Sequence, residues 1–234
     1  MRLLNYQTLD ITGFAGIRER VLVMDRKRFR ANIADEIFDG FGRCEYLAHA
    51  YFTPGGSTGK HHHSQVDIVS IFTKGQVLHQ GTLGDGQRFS PGQVLIQSSG
   101  PQGFSHDEIN GVDDISGMVQ LWCRPSESSA LKQSHCVIDL PEQGMCRIYG
   151  GSAADSATQI VSDTQMDIAV MAAQETLTIK GKSRVYVFEG SVDVEENGHQ
   201  STLARGTLCD GVDLDIWARS NSRILVQRLV VESE

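Results

Sequence analysis

Three histidines and one glutamate occur in two short groups whose spacing suits metal binding. The stretch GKHHHSQVDI contains His61 and His63, and the stretch FSHDEIN contains His106 and Glu108. In a β-strand, side chains two residues apart point to the same face, so each pair can reach a common centre while His62 points away. If strand pairing brings the two groups together inside a barrel, three neutral imidazoles and one carboxylate surround that centre.

This donor set suits one divalent transition metal ion, namely Fe, Mn, Co, Ni, Cu or Zn, and does not favour Ca or Mg. Four protein ligands would leave two positions of an octahedral ion open to oxygen, water or a substrate. The alternative is a run of polar histidines on a surface loop, because a single H-x-H is a weak signal. The distant H-x-E pair favours the metal site.

The remaining histidines and the tryptophans lack such a pattern. The other histidines are interpreted as half-buried or turn polar groups: His49, His79, His135 and His199. Trp122 and Trp217 lie in apolar stretches and are interpreted as core residues.

Composition excludes several classes of protein. A formal charge of -8, a pI near 5.5 and the lack of a long basic run argue against direct binding to nucleic acid or to an anionic membrane. No stretch approaches the ~18 apolar residues of a membrane span, and the N-terminus lacks a secretory pattern. The five cysteines include no C-x-x-C pair and are expected to be reduced thiols. We therefore expect a soluble, cytoplasmic protein, with a monomer favoured.

The elements that must carry these residues are predicted to be strands. From residue 41 onward, Gly, Asn, Asp and Pro clusters separate short apolar or alternating runs, a pattern typical of all-β proteins. Ten strands with short turns imply a sandwich, a barrel or two of them. The predicted strands include 44 to 52, 66 to 73, 76 to 83, 93 to 99, 117 to 124, 166 to 173, 183 to 190, 191 to 196, 214 to 219 and 223 to 231.

An internal repeat favours two similar modules. VSIFTKGQVLHQGTLGDGQRFSPGQVLI and VYVFEGSVDVEENGHQSTLARGTLCD each run strand, glycine, strand, polar turn, strand and a second glycine. The first glycines are Gly75 and Gly190. Residues 126 to 160 resemble a connection, so the predicted domains are 1 to 125, with the metal site, and 126 to 234, comprising linker and second barrel.

With PGGSTGKHHHSQVDI before an apolar strand and DGQRFSPGQVLIQSSG before HDE, the chain resembles the pirin family of bicupins, and is similar to its bacterial quercetinase-like members. The resemblance implies two tandem cupin barrels, which are double-stranded β-helix or jelly-roll folds. It also implies that His61, His63, His106 and Glu108 bind a metal, most often iron, in the first barrel. The matching positions of the second barrel hold no histidine, so that barrel is expected to be metal-free.

The resemblance places Asp67 where the family usually has glutamate. A carboxylate there is a candidate acid-base group beside the metal, and Glu108 is the other. The expected activity is a metal-dependent dioxygenase that cleaves a small flavonol-like or catechol-like aromatic. The alternative is a redox-sensitive regulatory protein that binds a transcription factor or a metabolic enzyme without turnover, and whether the chain is an enzyme stays open at this point.

Overall fold

The computed structural model describes residues 1–30, 32–152 and 160–230, and nearly all of its regular structure is strand. Two single-turn helices, α1 (Arg26–Phe29) and α2 (Glu127–Ala130), and a 3-10 turn (Tyr6–Thr8) interrupt the strands. The all-β prediction is therefore confirmed. The strands are β1 (Arg2–Asn5), β2 (Ile17–Met24), β3 (Cys44–Phe52), β4 (His61–His63), β5 (Asp67–Lys74), β6 (Val77–Gly81), β7 (Gln87–Phe89), β8 (Gln93–Ser98), β9 (Phe104–Asn110), β10 (Ser116–Cys123), β11 (Ser134–Asp139), β12 (Gly144–Gly151), β13 (Ser162–Met171), β14 (Thr176–Glu189), β15 (Ser191–Glu196), β16 (His199–Ala204), β17 (Thr207–Ala218) and β18 (Ser222–Leu229).

The chain divides into two compact units, and their limits differ from the predicted domains. One unit is Leu9–Asp139, and the other combines Met1–Thr8 with Leu140–Glu234. The predicted division at 125 placed β11 in a linker, yet β11 pairs with β8 of the first unit along its whole length. Residues 2 to 5 belong to the first predicted domain, but they form β1, which pairs with β17. Both differences arise because backbone pairing, and not distance along the chain, decides where a strand belongs.

The unit Leu9–Asp139 contains two antiparallel sheets. The larger has the order β11-β8-β5-β10-β3-β2, and the smaller has the order β4-β9-β6-β7. Alternation along the strands turns apolar side chains into the unit, where Phe52, Phe72, Phe89 and Met118 belong to one buried cluster. Phe72 and Phe89 stack with ring centroids 4.7 Å apart. The histidine-bearing strands β4 and β9 are neighbours in the smaller sheet.

The second unit consists of one eight-stranded sheet. Its order is β12-β13-β18-β14-β17-β15-β16, and β1 adds to β17. Buried aliphatic side chains from β13 to β18 meet in a single core that includes Val185, Val194, Leu203 and Leu214. No metal-binding histidines were predicted for this unit.

A matching turn in the two units supports the internal repeat. Gly75 and Gly190 both have positive φ, of 68° and 77°. A Cβ on either glycine would lie 2.4 or 2.3 Å from a serine hydroxyl, that of Ser116 or Ser222. Each hydroxyl also bonds the turn backbone: Ser116 Oγ accepts from Gln76 N at 3.0 Å, and Ser222 Oγ accepts from Ser191 N at 3.1 Å. The same glycine-serine contact in both halves is what a duplicated module predicts.

Neither helix within the described residues has the length and apolar character needed to cross a membrane.

Candidate metal centre

Strand pairing brings the two histidine groups together. Strand β9 lies between β4 and β6 in the smaller sheet, and His61 is directly opposite His106. The Nε2 atom of His106 is 3.1 Å from Nε2 of His61 and 3.1 Å from Nε2 of His63. His62 is exposed, as alternation along β4 predicts. The structure thus places His61, His63 and His106 around one point, whereas their binding of a metal stays a prediction.

The imidazole of His61 presents an unprotonated nitrogen to this point. Its Nδ1 lies 2.7 Å from the carbonyl oxygen of Gly59. Because a carbonyl oxygen can only accept, Nδ1 carries the proton, and the Nε2 of a neutral ring then has a free lone pair. A lone pair on Nε2 is the form in which histidine binds a metal.

The electrostatics of the cluster keep two of its rings neutral. Burial, followed by the neighbouring histidines, lowers the pKa of His63 to about 4. Burial, again followed by neighbouring histidines, lowers the pKa of His106 to about 2. Removing an imidazolium from water disfavours its charge, and a second positive ring nearby adds repulsion. At neutral pH these rings are uncharged and offer nitrogen lone pairs to a cation.

The spacing of these nitrogens fits a transition metal ion. Two metal-nitrogen bonds of about 2.1 Å that meet near a right angle separate their nitrogens by about 3 Å. The two observed Nε2-Nε2 separations of 3.1 Å match that value. Three ring nitrogens in this arrangement suit Fe, Ni, Co, Cu or Zn, in agreement with the donor chemistry of the sequence.

Glu108 lies beside the cluster but is not part of it in this structure. Its side chain is only 2% exposed and projects from the same face of β9 as His106. Its Oε2 accepts a hydrogen bond from Gln120 at 3.2 Å, while its Oε1 is buried without a partner among the described residues. Burial raises the pKa of Glu108 to about 7. A buried carboxylate oxygen without a partner is what a cation would satisfy.

The backbone around Glu108 is fixed by Thr58. Thr58 N donates to the Glu108 carbonyl at 3.0 Å, and the Thr58 hydroxyl accepts from Glu108 N at 3.0 Å. The neighbouring Asp107 points the other way and accepts from the Ser57 hydroxyl at 2.6 Å. These contacts hold the middle of β9 in the register that directs His106 and Glu108 to the interior.

Asp67, predicted as a second acid-base group, is placed elsewhere by the structure. It is fully buried, and its two carboxylate oxygens accept from Ser98 at 2.6 Å and from Ser129 at 3.1 Å. Ser70, three positions along β5, bonds Gln120 next to Glu108. Since successive side chains alternate across a strand, residue 67 lies on the opposite face of β5 from residue 70. The structure therefore places Asp67 in a buried contact with Ser98 of β8 and Ser129 of α2, on the face of β5 away from Ser70. Its acid-base role stays a prediction that this placement does not favour.

His79 was interpreted as a half-buried polar group, and the structure shows a different role. Its side chain is fully buried, and its Nε2 lies 3.1 Å from Nδ1 of His106. It is paired directly with Glu108 across β6 and β9. The sequence placed His79 in a predicted strand, which was the available signal for a buried position. No spacing rule connects His79 with His106, which lies 27 residues away in the chain.

An aromatic group adjoins the cluster on one side. Trp122 packs edge-on against His63, with ring centroids 5.6 Å apart, and stacks on Tyr46 at 4.7 Å. Phe29 lies 6.1 Å from Tyr46 and 6.4 Å from Trp122. Phe29 and Trp122 line a cavity of about 370 Å³ that includes His63, and with Tyr46 they line another of about 560 Å³. Trp122 was expected to be a core residue, but it lines both cavities and contacts His63.

Residues 26–123 match the family model described as Pirin. The chain carries a Pirin domain. This domain contains both histidine groups, Glu108, His79 and the aromatic group.

The chain is also similar, over most of its length, to proteins named as pirin or quercetin 2,3-dioxygenase. A quercetin 2,3-dioxygenase of Escherichia coli strain K12 is 24% identical over 200 residues, which cover 84% of this chain and 86% of the relative. The structure of bacterial pirin YhhW from Escherichia coli in complex with nickel(II) superposes with a TM-score of 0.80 at 20% identity, covering 97% of each chain. A quercetin 2,3-dioxygenase from Acinetobacter baumannii gives 0.68 at 20% identity, covering 97% of this chain and 85% of the other.

These likenesses confirm the expected fold of two tandem cupin barrels. The superpositions extend over nearly the whole chain and so include the part outside the Pirin domain. At these identities they establish the architecture, while the reaction must be argued from the side chains of the site.

Proposed function

We propose that the chain is a metal-dependent dioxygenase that acts on a flavonol-like or catechol-like aromatic. The observation that carries the proposal is the convergence of His61, His63 and His106, through ring nitrogens 3.1 Å apart, next to a wall of aromatic side chains. The relatives named quercetin 2,3-dioxygenase and the nickel complex of bacterial pirin support it.

We assign the three histidines and Glu108 as the residues that hold the metal, with iron as the proposed ion. When bound, such an ion supplies Lewis acidity toward substrate oxygens and one-electron chemistry with dioxygen. The protein contributes ring nitrogens that burial keeps neutral and a carboxylate whose second oxygen needs a partner.

Glu108 can also hold a proton near the cluster. In the metal-free chain burial raises the pKa of Glu108 to about 7. A bound cation would lower that pKa, so at neutral pH Glu108 would be a carboxylate that can accept a proton. Gln120 orients it by donating to Oε2, and the Trp122 indole in turn donates to Gln120 Oε1 at 3.0 Å. We assign Glu108 the role of accepting the hydroxyl proton of the aromatic substrate.

The aromatic group provides the surface for a flat substrate ring. Phe29, Tyr46 and Trp122 present ring faces and edges beside His63. A ring bound there gains apolar contact and excludes water from the histidine cluster. The cavity of about 370 Å³ that includes His63 is within the range that small-molecule sites occupy.

The direct test is oxygen uptake by the full chain loaded in turn with iron(II) and nickel(II), with quercetin and with simple catechols as substrates. We expect metal-dependent uptake that is abolished in His61→Ala and retained in His62→Ala, because His62 is exposed and points away. Elemental analysis of protein purified without added metal measures the ion that it retains. A metal-loaded protein inert toward flavonols and catechols would refute the proposal, and capture of a protein partner in a redox-dependent manner without oxygen uptake would favour the regulatory alternative.

A further inference from the structure

His79 lies just outside the cluster and is held from both sides. Its Nδ1 is 2.8 Å from the carbonyl oxygen of Gly84, and its Nε2 is 3.1 Å from Nδ1 of His106. The imidazole is fully buried, an environment that disfavours a charged ring. It is not among the three rings whose nitrogens converge.

The two contacts of His79 determine which nitrogens carry protons. The Gly84 carbonyl can only accept, so Nδ1 of His79 carries the single proton of the neutral ring. Its Nε2 therefore has a lone pair and can only accept from His106. It follows that His106 carries its proton on Nδ1 and has a free lone pair on Nε2, the atom that faces His61 and His63.

We propose that His79 is a positioning residue that locks His106 in the one tautomer able to bind a metal through Nε2. The inference rests on the metal site of the proposed function, but it does not depend on any turnover. Without His79, the Nδ1 proton of His106 would lose its acceptor in a buried environment, which favours the tautomer with the proton on Nε2. That tautomer places a proton where the metal would bind.

The hydrogen bond between His106 and His79 also orients the imidazole ring of His106. A hydrogen bond at Nδ1 limits rotation of the His106 imidazole, and the backbone pairing of β9 with β4 and β6 fixes its Cα. Partners that bond the far nitrogen of a metal-binding histidine raise its basicity, and their loss typically weakens metal binding 10- to 100-fold. His79 is such a partner for His106. It lies on β6, which pairs with β9, and the carbonyl oxygen of Gly84 in the β6-β7 turn accepts from its Nδ1.

Two substitutions separate the hydrogen bond from simple packing. His79→Leu fills the buried position with an apolar side chain of moderate size but removes the acceptor. His79→Gln can place its amide oxygen near the former position of Nε2, so it can still accept the proton of His106. His199→Leu removes an exposed histidine from the other unit and serves as the control.

The experiment uses the full chain, labelled with 15N-histidine and free of metal, and reads the tautomer of each ring from long-range 1H-15N spectra. We expect His106 to carry its proton on Nδ1 in the wild type and in His79→Gln, and to shift toward Nε2 in His79→Leu. Nickel(II) affinity, measured by competition with a coloured chelator, should fall about 10- to 100-fold in His79→Leu. His79→Gln should recover most of that loss, and His199→Leu should match the wild type.

Three results would overturn the inference. The first is a wild-type His106 whose proton is on Nε2 in the metal-free protein. The second is an equal loss of nickel affinity in His79→Leu and His79→Gln, because a hydrogen-bonding role requires rescue by glutamine. The third is no loss of nickel affinity in either variant. Failure of the dioxygenase proposal would appear as absent oxygen uptake with intact tautomers and intact nickel binding, so the two failures are distinguishable.

Discussion

Replacing Glu108 by glutamine should change how the stability of the metal-free protein depends on pH. The carboxyl group is buried, and its pKa is raised from 4.5 to about 7 in the folded chain. The folded state therefore favours the protonated form more strongly than the unfolded state does. The stabilising effect of protonation is complete below pH 4.5 and is lost as pH rises through 7, so the wild type should lose stability between those values.

The magnitude follows from the size of the shift. Each unit of pKa corresponds to about 1.4 kcal/mol. Integrated from pH 5 to pH 8, the titration of Glu108 should lower the free energy of unfolding by about 2 to 3 kcal/mol. Glutamine cannot ionise, so this contribution is missing in Glu108→Gln. An amide hydrogen left without a partner adds a penalty that is equal at both pH values, so it cancels when the two are compared.

The assay is urea denaturation at pH 5 and pH 8, in a Trp217→Phe background. The chain has only two tryptophans, so the fluorescence of Trp122 then reports the unit Leu9–Asp139 that holds the site. We expect the pH 5 to pH 8 loss to be smaller by about 2 to 3 kcal/mol in Glu108→Gln than in its parent. Glu142→Gln, which replaces an exposed glutamate, is the control and should follow the parent.

Addition of nickel(II) at pH 8 should stabilise the two proteins to different extents. A cation supplies the charge partner that the buried carboxylate lacks, so the parent should gain more stability from the ion than Glu108→Gln does. Parallel pH dependences in the metal-free proteins would refute the reasoning about burial. Equal stabilisation of both by nickel would refute the assignment of Glu108 as a ligand.

Three other outcomes follow from the structure. Nickel(II) at 100 times its dissociation constant should raise the free energy of unfolding by about 2.7 kcal/mol in the wild type, with no such gain in His63→Leu; a gain in that variant would place the ion elsewhere. Trp122→Leu should raise the KM for a flavonol about two- to tenfold, because a stacked aromatic contact contributes about 0.5 to 1.5 kcal/mol beyond its apolar area, and an unchanged KM would remove Trp122 from the substrate surface. Gly75→Ala should destabilise its unit by more than the about 1 to 2 kcal/mol of a left-handed alanine, because its Cβ would meet Ser116. Gly86→Ala, where φ is also positive but a Cβ would have open space, is the matched control for urea denaturation, and equal losses in both would contradict the contact argument.

The candidate ligands could be predicted from the sequence, because the alternation of side chains along a strand depends only on neighbouring residues. His61 and His63 share a face of β4, and His106 and Glu108 share a face of β9, as their spacing requires. Most predicted strands were also found, and Cys44–Phe52 and Ser191–Glu196 have the predicted limits. These features depend on neighbours within a few residues, where side-chain period and turn residues carry the information.

Pairing between distant strands is not encoded in that local pattern. The sequence alone determined that two pairs of candidate metal ligands exist and that the chain is all-β with a repeated module. Only the tertiary structure decided that His79 meets His106, that Asp67 faces Ser98 and Ser129 instead of the cluster, and that β1 and β11 belong to units other than those predicted. The physical reason is that the face a strand presents is set by its own alternation, but the partner it meets is set by the register of strands far away in the chain.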